Sequence, residues 1–174
     1  MEIKKVSDFI EEIAIKDEDG KQLFFRGHAS ENFKLLPSLY REENFYLSEH
    51  NLYKDTMVYC PQDFINCKNS LEVLVKMRHY SIPTRLLDLT CNALVALYFA
   101  CEPHKDKNGE VIILQIPTDN ICYYDSDRIT ILANLAKQDN KFHFDYDEGE
   151  LKNDKDIAVE KVNKNYFGYL LHST

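Results

Sequence analysis

The sequence predicts an α+β fold, a small mixed β-sheet wrapped by several helices with a central buried helix at about residues 91–101. Three observations point there. Leu23-Phe24-Phe25 and Val111 to Ile116 are short apolar runs bounded by turn or breaker residues, as buried strands are. Several longer windows repeat apolar residues at helical spacing. Ala93 to Ala100 is rich in strong helix formers and apolar almost all round, the pattern of a helix enclosed within a domain.

In chain order, Ile3, Val6, Phe9, Ile10 and Ile13 make one helical stripe. Asp19-Gly20 signals a turn before the Leu23-Phe24-Phe25 strand, which ends at Arg26-Gly27. Residues 31–43 contain Pro37 and read as an irregular cover. Windows 45–59 and 70–80 have helical spacing, and Pro83 forces Ile82 into extended backbone, so the second of these ends near Tyr80 or Ser81. Asp88 or Thr90 is placed to cap the 91–101 helix. Lys105 to Gly109 is a polar turn, Val111 to Ile116 a core strand stopped by Pro117, and Ile121 to Tyr124 a further candidate strand. Residues 128–137 read as a helix with Ile129, Leu132, Ala133 and Leu135 on its apolar side. A solvated acidic loop follows, and residues 157–172 recover helical character.

The 174 residues are 44% hydrophobic and 29% charged, which suits one globular domain over 1–174 and excludes a disordered or fibrous chain. The longest apolar run has nine residues, half of the roughly 18 a membrane span needs. Charges within the N-terminal apolar pattern argue against a secretory leader, so the expected location is cytoplasmic, with no membrane partner. The net charge of −8 argues against nucleic acid as a partner. Residues 139–160 hold eight acids against three lysines, a net of −5, leaving only −3 on the rest. A local anion site in the first hundred residues therefore stays open. Five cysteines without a tight pair read as buried reduced thiols, and scattered histidines without zinc spacing give no metal site.

Chemistry is sought where polar residues sit at positions apolar ones would fill more cheaply. Arg26 ends a hydrophobic strand, so its five donors need a carboxylate, backbone carbonyls or a ligand phosphate; Asp88 is the internal alternative. Gly27 permits close approach of a ligand or of another chain segment. Seven hydrogen-bonding side chains lie within the twelve residues His79 to Thr90. Arg85 offers a planar fork for phosphate, or pairs with Asp88; Thr90 and the amides opening the following helix make an anion site, or a capping network. His28 and His79 are general acid/base candidates, or ordinary hydrogen-bonded histidines. Tyr80, Tyr98 and Phe99 could stack on a base or nicotinamide ring, or simply pack in the core.

Phe25-Arg26-Gly27, Leu36-Pro37-Ser38-Leu39-Tyr40-Arg41, the run from Met77-Arg78-His79-Tyr80 through Pro83-Thr84-Arg85-Leu86-Leu87-Asp88-Leu89-Thr90, and Asn92-Ala93-Leu94-Val95-Ala96-Leu97-Tyr98-Phe99-Ala100 together resemble the FRG domain in order and spacing. Ser81 stands where the family pattern has glycine, and Leu89 where it has tryptophan. Asp125-Ser126-Asp127 and Tyr169-Leu170-Leu171-His172 also look like segments of longer members, whose further Asn-x-Arg-Ile stretch has no counterpart here. The chain therefore reads as a fragment or a natural truncation. The resemblance implies a bacterial or phage protein, with a role in phage–host conflict suspected and no settled activity. It also implies an analogy with ADP-ribosyltransferases, in which an aromatic-Arg-Gly strand end holds NAD and a Ser/Thr strand followed by an Ala-rich helix lines the nicotinamide. On that analogy NAD or a similar phosphorylated nucleotide is the expected ligand. His79, Tyr80 and Thr90 would be catalytic. Arg26, Gly27, His28, Arg85, Asp88, Asn92 and Tyr98 would bind the ligand. The late glutamate of that class has no match; Glu148 and Glu150 are the nearest candidates. The alternative is a non-catalytic protein-interaction module whose Arg/Asp network is structural.

Overall fold

The computed structural model describes residues 3–15, 19–102, 107–139, 142 and 170–171. In chain order the elements are α1 (Val6–Ile15), β1 (Lys21–His28), a short 3-10 turn (Ser38–Arg41), α2 (Glu43–Leu47), α3 (Glu49–Tyr59), α4 (Pro61–Phe64), α5 (Ser70–His79), β2 (Leu87–Asp88), α6 (Ala93–Cys101), β3 (Glu110–Pro117), a 3-10 turn (Thr118–Asn120), α7 (Asp127–Asn134), a 3-10 turn (Leu135–Lys137) and β4 (Leu170–Leu171). This is an α+β fold. The chain forms two compact units. One takes in the described residues of Met1–Lys34 and Asp88–Ile121, the other those of Leu35–Leu87 and Cys122–Leu171.

The first unit is built on β1 and β3. They pair antiparallel along their whole length, from Lys21↔Pro117 to His28↔Glu110. The sheet expected to be mixed is therefore antiparallel here. Thr90 extends it by one bridge, exchanging both backbone hydrogen bonds with Phe25 at 2.7 and 2.9 Å. Helix α6 lies directly on β1. A Cβ on Gly27 would come 2.8 Å from the Ala100 amide nitrogen and closer still to the Ala96 carbonyl oxygen. A Cβ on Gly109 would meet the Ala100 carbonyl in the same way. The glycine of the Phe-Arg-Gly triplet thus serves helix–strand packing, and the approach it permits is taken by the chain's own backbone.

That contact corrects the expected central helix. Ala96 and Ala100 are buried, but Leu94, Tyr98 and Phe99 are 50%, 56% and 53% exposed. A seam of alanines against glycine is narrow, so the opposite ridge of α6 is left uncovered although it is apolar. The cap differs too. Asn92, rather than Asp88 or Thr90, takes the first amides: its Oδ1 accepts from Leu94 N at 3.0 Å and Val95 N at 3.4 Å, while Thr90 Oγ1 accepts from Asn92 N at 3.1 Å. Along α1 only Phe9 of the predicted stripe is buried; Val6 and Ile10 face solvent.

The second unit is helical. Tyr53, Phe64, Leu71, Val73, Leu74, Met77, Leu86, Ile129, Ala133 and Ala136 form its core. Asn69 caps α5, its side chain accepting from Glu72 N at 2.9 Å. The far end of α5 is a Schellman closure: Ser81 N donates to Arg78 O and Ile82 N to Met77 O, both at 3.0 Å. Ser81 sits there at φ +60°, in the left-handed region that favours glycine. The serine in place of the family's glycine therefore carries a cost. Ser81→Gly is expected to stabilise the protein by about 1 kcal/mol, read as a higher urea midpoint; an unchanged or lower midpoint would contradict the assignment.

Ile121 to Tyr124 forms no strand. Tyr123 and Tyr124 are exposed in a turn, and Ser126 caps α7. The cysteines are free as expected but not buried: Cys60, Cys91 and Cys101 are exposed, Cys67 and Cys122 half-buried. Of the predicted helix over 157–172, residues 157–169 and 172 lie outside the described residues, as do Glu148, Glu150 and nearly all of the acidic stretch; Leu170–Leu171 is a two-residue strand. No helix among the described residues is long and apolar enough to cross a membrane.

Candidate functional site

The candidate residues are divided between the two units. In the first unit, strand alternation puts Arg26 and His28 on the face of β1 opposite Gly27, hence opposite α6. Arg26 Nη1 donates to the Asp88 carbonyl at 2.6 Å, and its Nε donates to His28 Nε2 at 3.2 Å. His28 is buried and, across the ladder, its Nδ1 lies 3.0 Å from Glu110 Oε1. An arginine Nε–H can only donate, so His28 Nε2 must accept, and the ring's proton sits on Nδ1, from which it donates a hydrogen bond to Glu110. Both ring nitrogens are thereby occupied. Thr90 pairs with Phe25, so its side chain lies on the α6 side of the ladder, away from Arg26.

Arg85 belongs to the second unit. Its Nε donates to Glu49 Oε1 at 2.8 Å and its Nη2 to Glu49 Oε2, a two-pronged pair with Glu49 largely buried. The expected partner Asp88 has no part in it. Burial works against the Arg85 charge, but the hydrogen bonds and charge of Glu49, with Tyr40 beside it, more than offset this and its pKa lies above the ordinary value. The pair is held by the two sequence blocks that meet around it. Thr84 N donates to Ser38 Oγ at 3.2 Å, Leu39 N to Thr84 O at 3.2 Å, and Arg41 bonds to Leu36 O at 3.4 Å. Thr84 is fully buried and Leu39 with it.

Tyr40 lies in the same cluster. Burial raises its phenol above the usual value near 10, Arg85 lowers it and Glu49 raises it. A raised folded pKa means the folded state holds this proton more tightly, so the associated stability is full below about pH 10 and is lost as pH climbs through the folded value. Urea midpoints are expected to fall above about pH 10, and less steeply in Tyr40→Phe; Tyr53, also raised by burial, keeps part of the fall. Equal falls in both proteins would contradict this.

His79 and Tyr80 end α5. His79 is exposed in a last turn that also holds Lys76 and Arg78, where cations suit the helix dipole. Tyr80 is exposed and donates to Asp63 Oδ1 at 3.1 Å, a bond that raises its pKa. Tyr98 is exposed on α6, edge-on to Phe99 at 5.6 Å, its hydroxyl bonded to Glu102 and its pKa raised for that reason. Asp88 is exposed, and Asn92 is spent on capping.

Sequence reasoning missed Glu49, Glu110, Tyr40 and Asp63. Glu110 becomes visible once the β1–β3 register is known; nothing in the sequence marks Glu49, 36 residues from Arg85. Among the described residues no group of three or more His, Cys, Asp or Glu could hold a metal ion.

Residues 21–109, half the chain, match the FRG domain, and the chain belongs to that family. The match takes in Arg26, the Leu36–Arg41 segment, the His79–Thr90 run and α6, and ends one residue before Glu110. No curated protein and no solved structure matches the chain.

Proposed function

We propose that this FRG-domain protein is a non-catalytic protein-interaction module whose motif arginines hold the fold. The observation that carries the reading is the Arg85–Glu49 pair: the planar fork best suited to a phosphate is closed by a largely buried carboxylate of the protein itself. Arg26 is tied to Asp88 and His28, Gly27 to α6, and Asn92 to the helix amides. The surface such a module presents is the ridge of Leu94, Val95, Tyr98 and Phe99. Aromatic and aliphatic residues uncovered together on one helix face suit a protein partner.

A second reading keeps the nucleotide. It is favoured by the bridge between Thr90 and Phe25, which sets a threonine and its following Ala-rich helix beside the Phe-Arg-Gly strand, the order of parts in NAD-dependent ADP-ribosyltransferases. On this reading the protein binds NAD and acts in phage–host conflict. Against it, Arg26 and Thr90 face opposite sides of the ladder and Arg85 is occupied.

A thermal-shift panel of the intact protein with NAD, ATP, GTP and nucleotide fragments separates the two. A folded-state ligand at a hundredfold its Kd adds about 2.7 kcal/mol of stability and raises Tm visibly. The interaction module predicts no shift. A rise selective for NAD and abolished by Thr90→Ala would overturn it.

A further inference from the structure

We infer that Glu110 and His28 form a relay that positions Arg26 and so anchors the segment leading into α6. The relay runs across three chain segments of one unit. Glu110 on β3 stands opposite His28 in the ladder, and His28 shares a strand face with Arg26, two residues away. Glu110 Oε1 accepts a hydrogen bond from the His28 Nδ1–H at 3.0 Å. That leaves the Nε2 lone pair for the Arg26 Nε–H at 3.2 Å, and the guanidinium, held at its root, reaches the Asp88 carbonyl at 2.6 Å.

The direction of the relay follows from its ends. Arginine has no acceptor, so the ring must offer a lone pair towards it; a ring with its proton on Nε2 would set two N–H groups against each other. Without an acceptor at Glu110 the two neutral tautomers compete, and one of them expels Arg26. Burial makes this sharp, because His28 is only 4% exposed and water cannot readily stand in for a lost partner. Asp88 lies two residues before Thr90, whose bridge to Phe25 precedes the Asn92 cap of α6. A carboxylate at the start of β3 thereby governs how firmly the entry to α6 is held. Glu110 is a positioning residue outside the family match, and this inference stands independently of the proposed function.

Glu110 is 38% exposed, so its variants are expected to fold. Two readouts on the intact protein test the relay: long-range 1H–15N NMR of the His28 ring, and amide hydrogen exchange at Phe25 and Thr90. Wild type is expected to show an Nδ1–H ring with an acceptor-type Nε2. Glu110→Ala is expected to yield a tautomer mixture and about fivefold faster exchange at both amides, as for one ordinary hydrogen bond lost. Glu110→Gln, which keeps an acceptor oxygen, is expected to restore both. An Nε2–H ring in wild type, an unchanged ring and exchange in Glu110→Ala, or Glu110→Gln behaving like Glu110→Ala would each overturn the relay.

Discussion

Gly27→Ala is expected to cost about 3 kcal/mol, seen as a large drop in urea midpoint at constant slope. The added methyl would point into the backbone of α6, where the Ala96 carbonyl and the Ala100 amide already lie inside contact distance of its position. Neither can rotate away as a side chain would, so the helix must lift from β1 as a body and expose Phe25 and the alanine seam. Gly109→Ala is expected to act alike, because the Ala100 carbonyl blocks its Cβ. A midpoint unchanged in Gly27→Ala would mean that α6 does not rest on β1 at this point. The predicted loss would explain the third residue of the Phe-Arg-Gly triplet by packing.

Arg85→Ala is the second large effect, with an expected loss of about 3 kcal/mol or more. Removing the guanidinium leaves the Glu49 carboxylate enclosed without its partner, beside a Tyr40 hydroxyl whose proton burial already makes hard to remove. Glu49→Ala strands the opposite charge and should cost a similar amount. Replacing both by apolar residues of like size should cost far less than either single change, since the desolvation of two ions disappears together. Denaturant midpoints of the singles and the double check this. A near-neutral Arg85→Ala would show that the guanidinium does not support the fold.

Legibility followed sequence distance. β1, β3, α5 and α7 could be read because their patterns are local: apolar runs closed by Gly or Pro, and stripes of 3.6-residue period. The end of α5 at Tyr80 was readable from Pro83, and its left-handed Ser81 sits where the family pattern has glycine. α6 was half legible. Its composition predicted a helix, but burial depends on what lies opposite, and an alanine seam on a glycine leaves Leu94, Tyr98 and Phe99 uncovered. Ile121 to Tyr124 looked like a strand because Ile and Tyr favour strands, yet with no strand pairing observed there it stays irregular and runs into the turn at Tyr124. The candidate site was legible as residue types and not as partnerships. Arg85 was expected to meet Asp88, three residues away, whereas its carboxylate comes from Glu49 at the start of α3. His28 was a candidate acid or base until the register brought Glu110 against one nitrogen and Arg26 against the other.

The central claim is that the family's arginines are committed inside the fold. A double-mutant cycle of Arg85→Ala and Glu49→Ala, run by urea denaturation, tests it most directly. The account predicts a coupling of about 2–3 kcal/mol between the two side chains. Additive single-mutant costs, with a coupling indistinguishable from zero, would contradict it and return Arg85 to the service of an external anion.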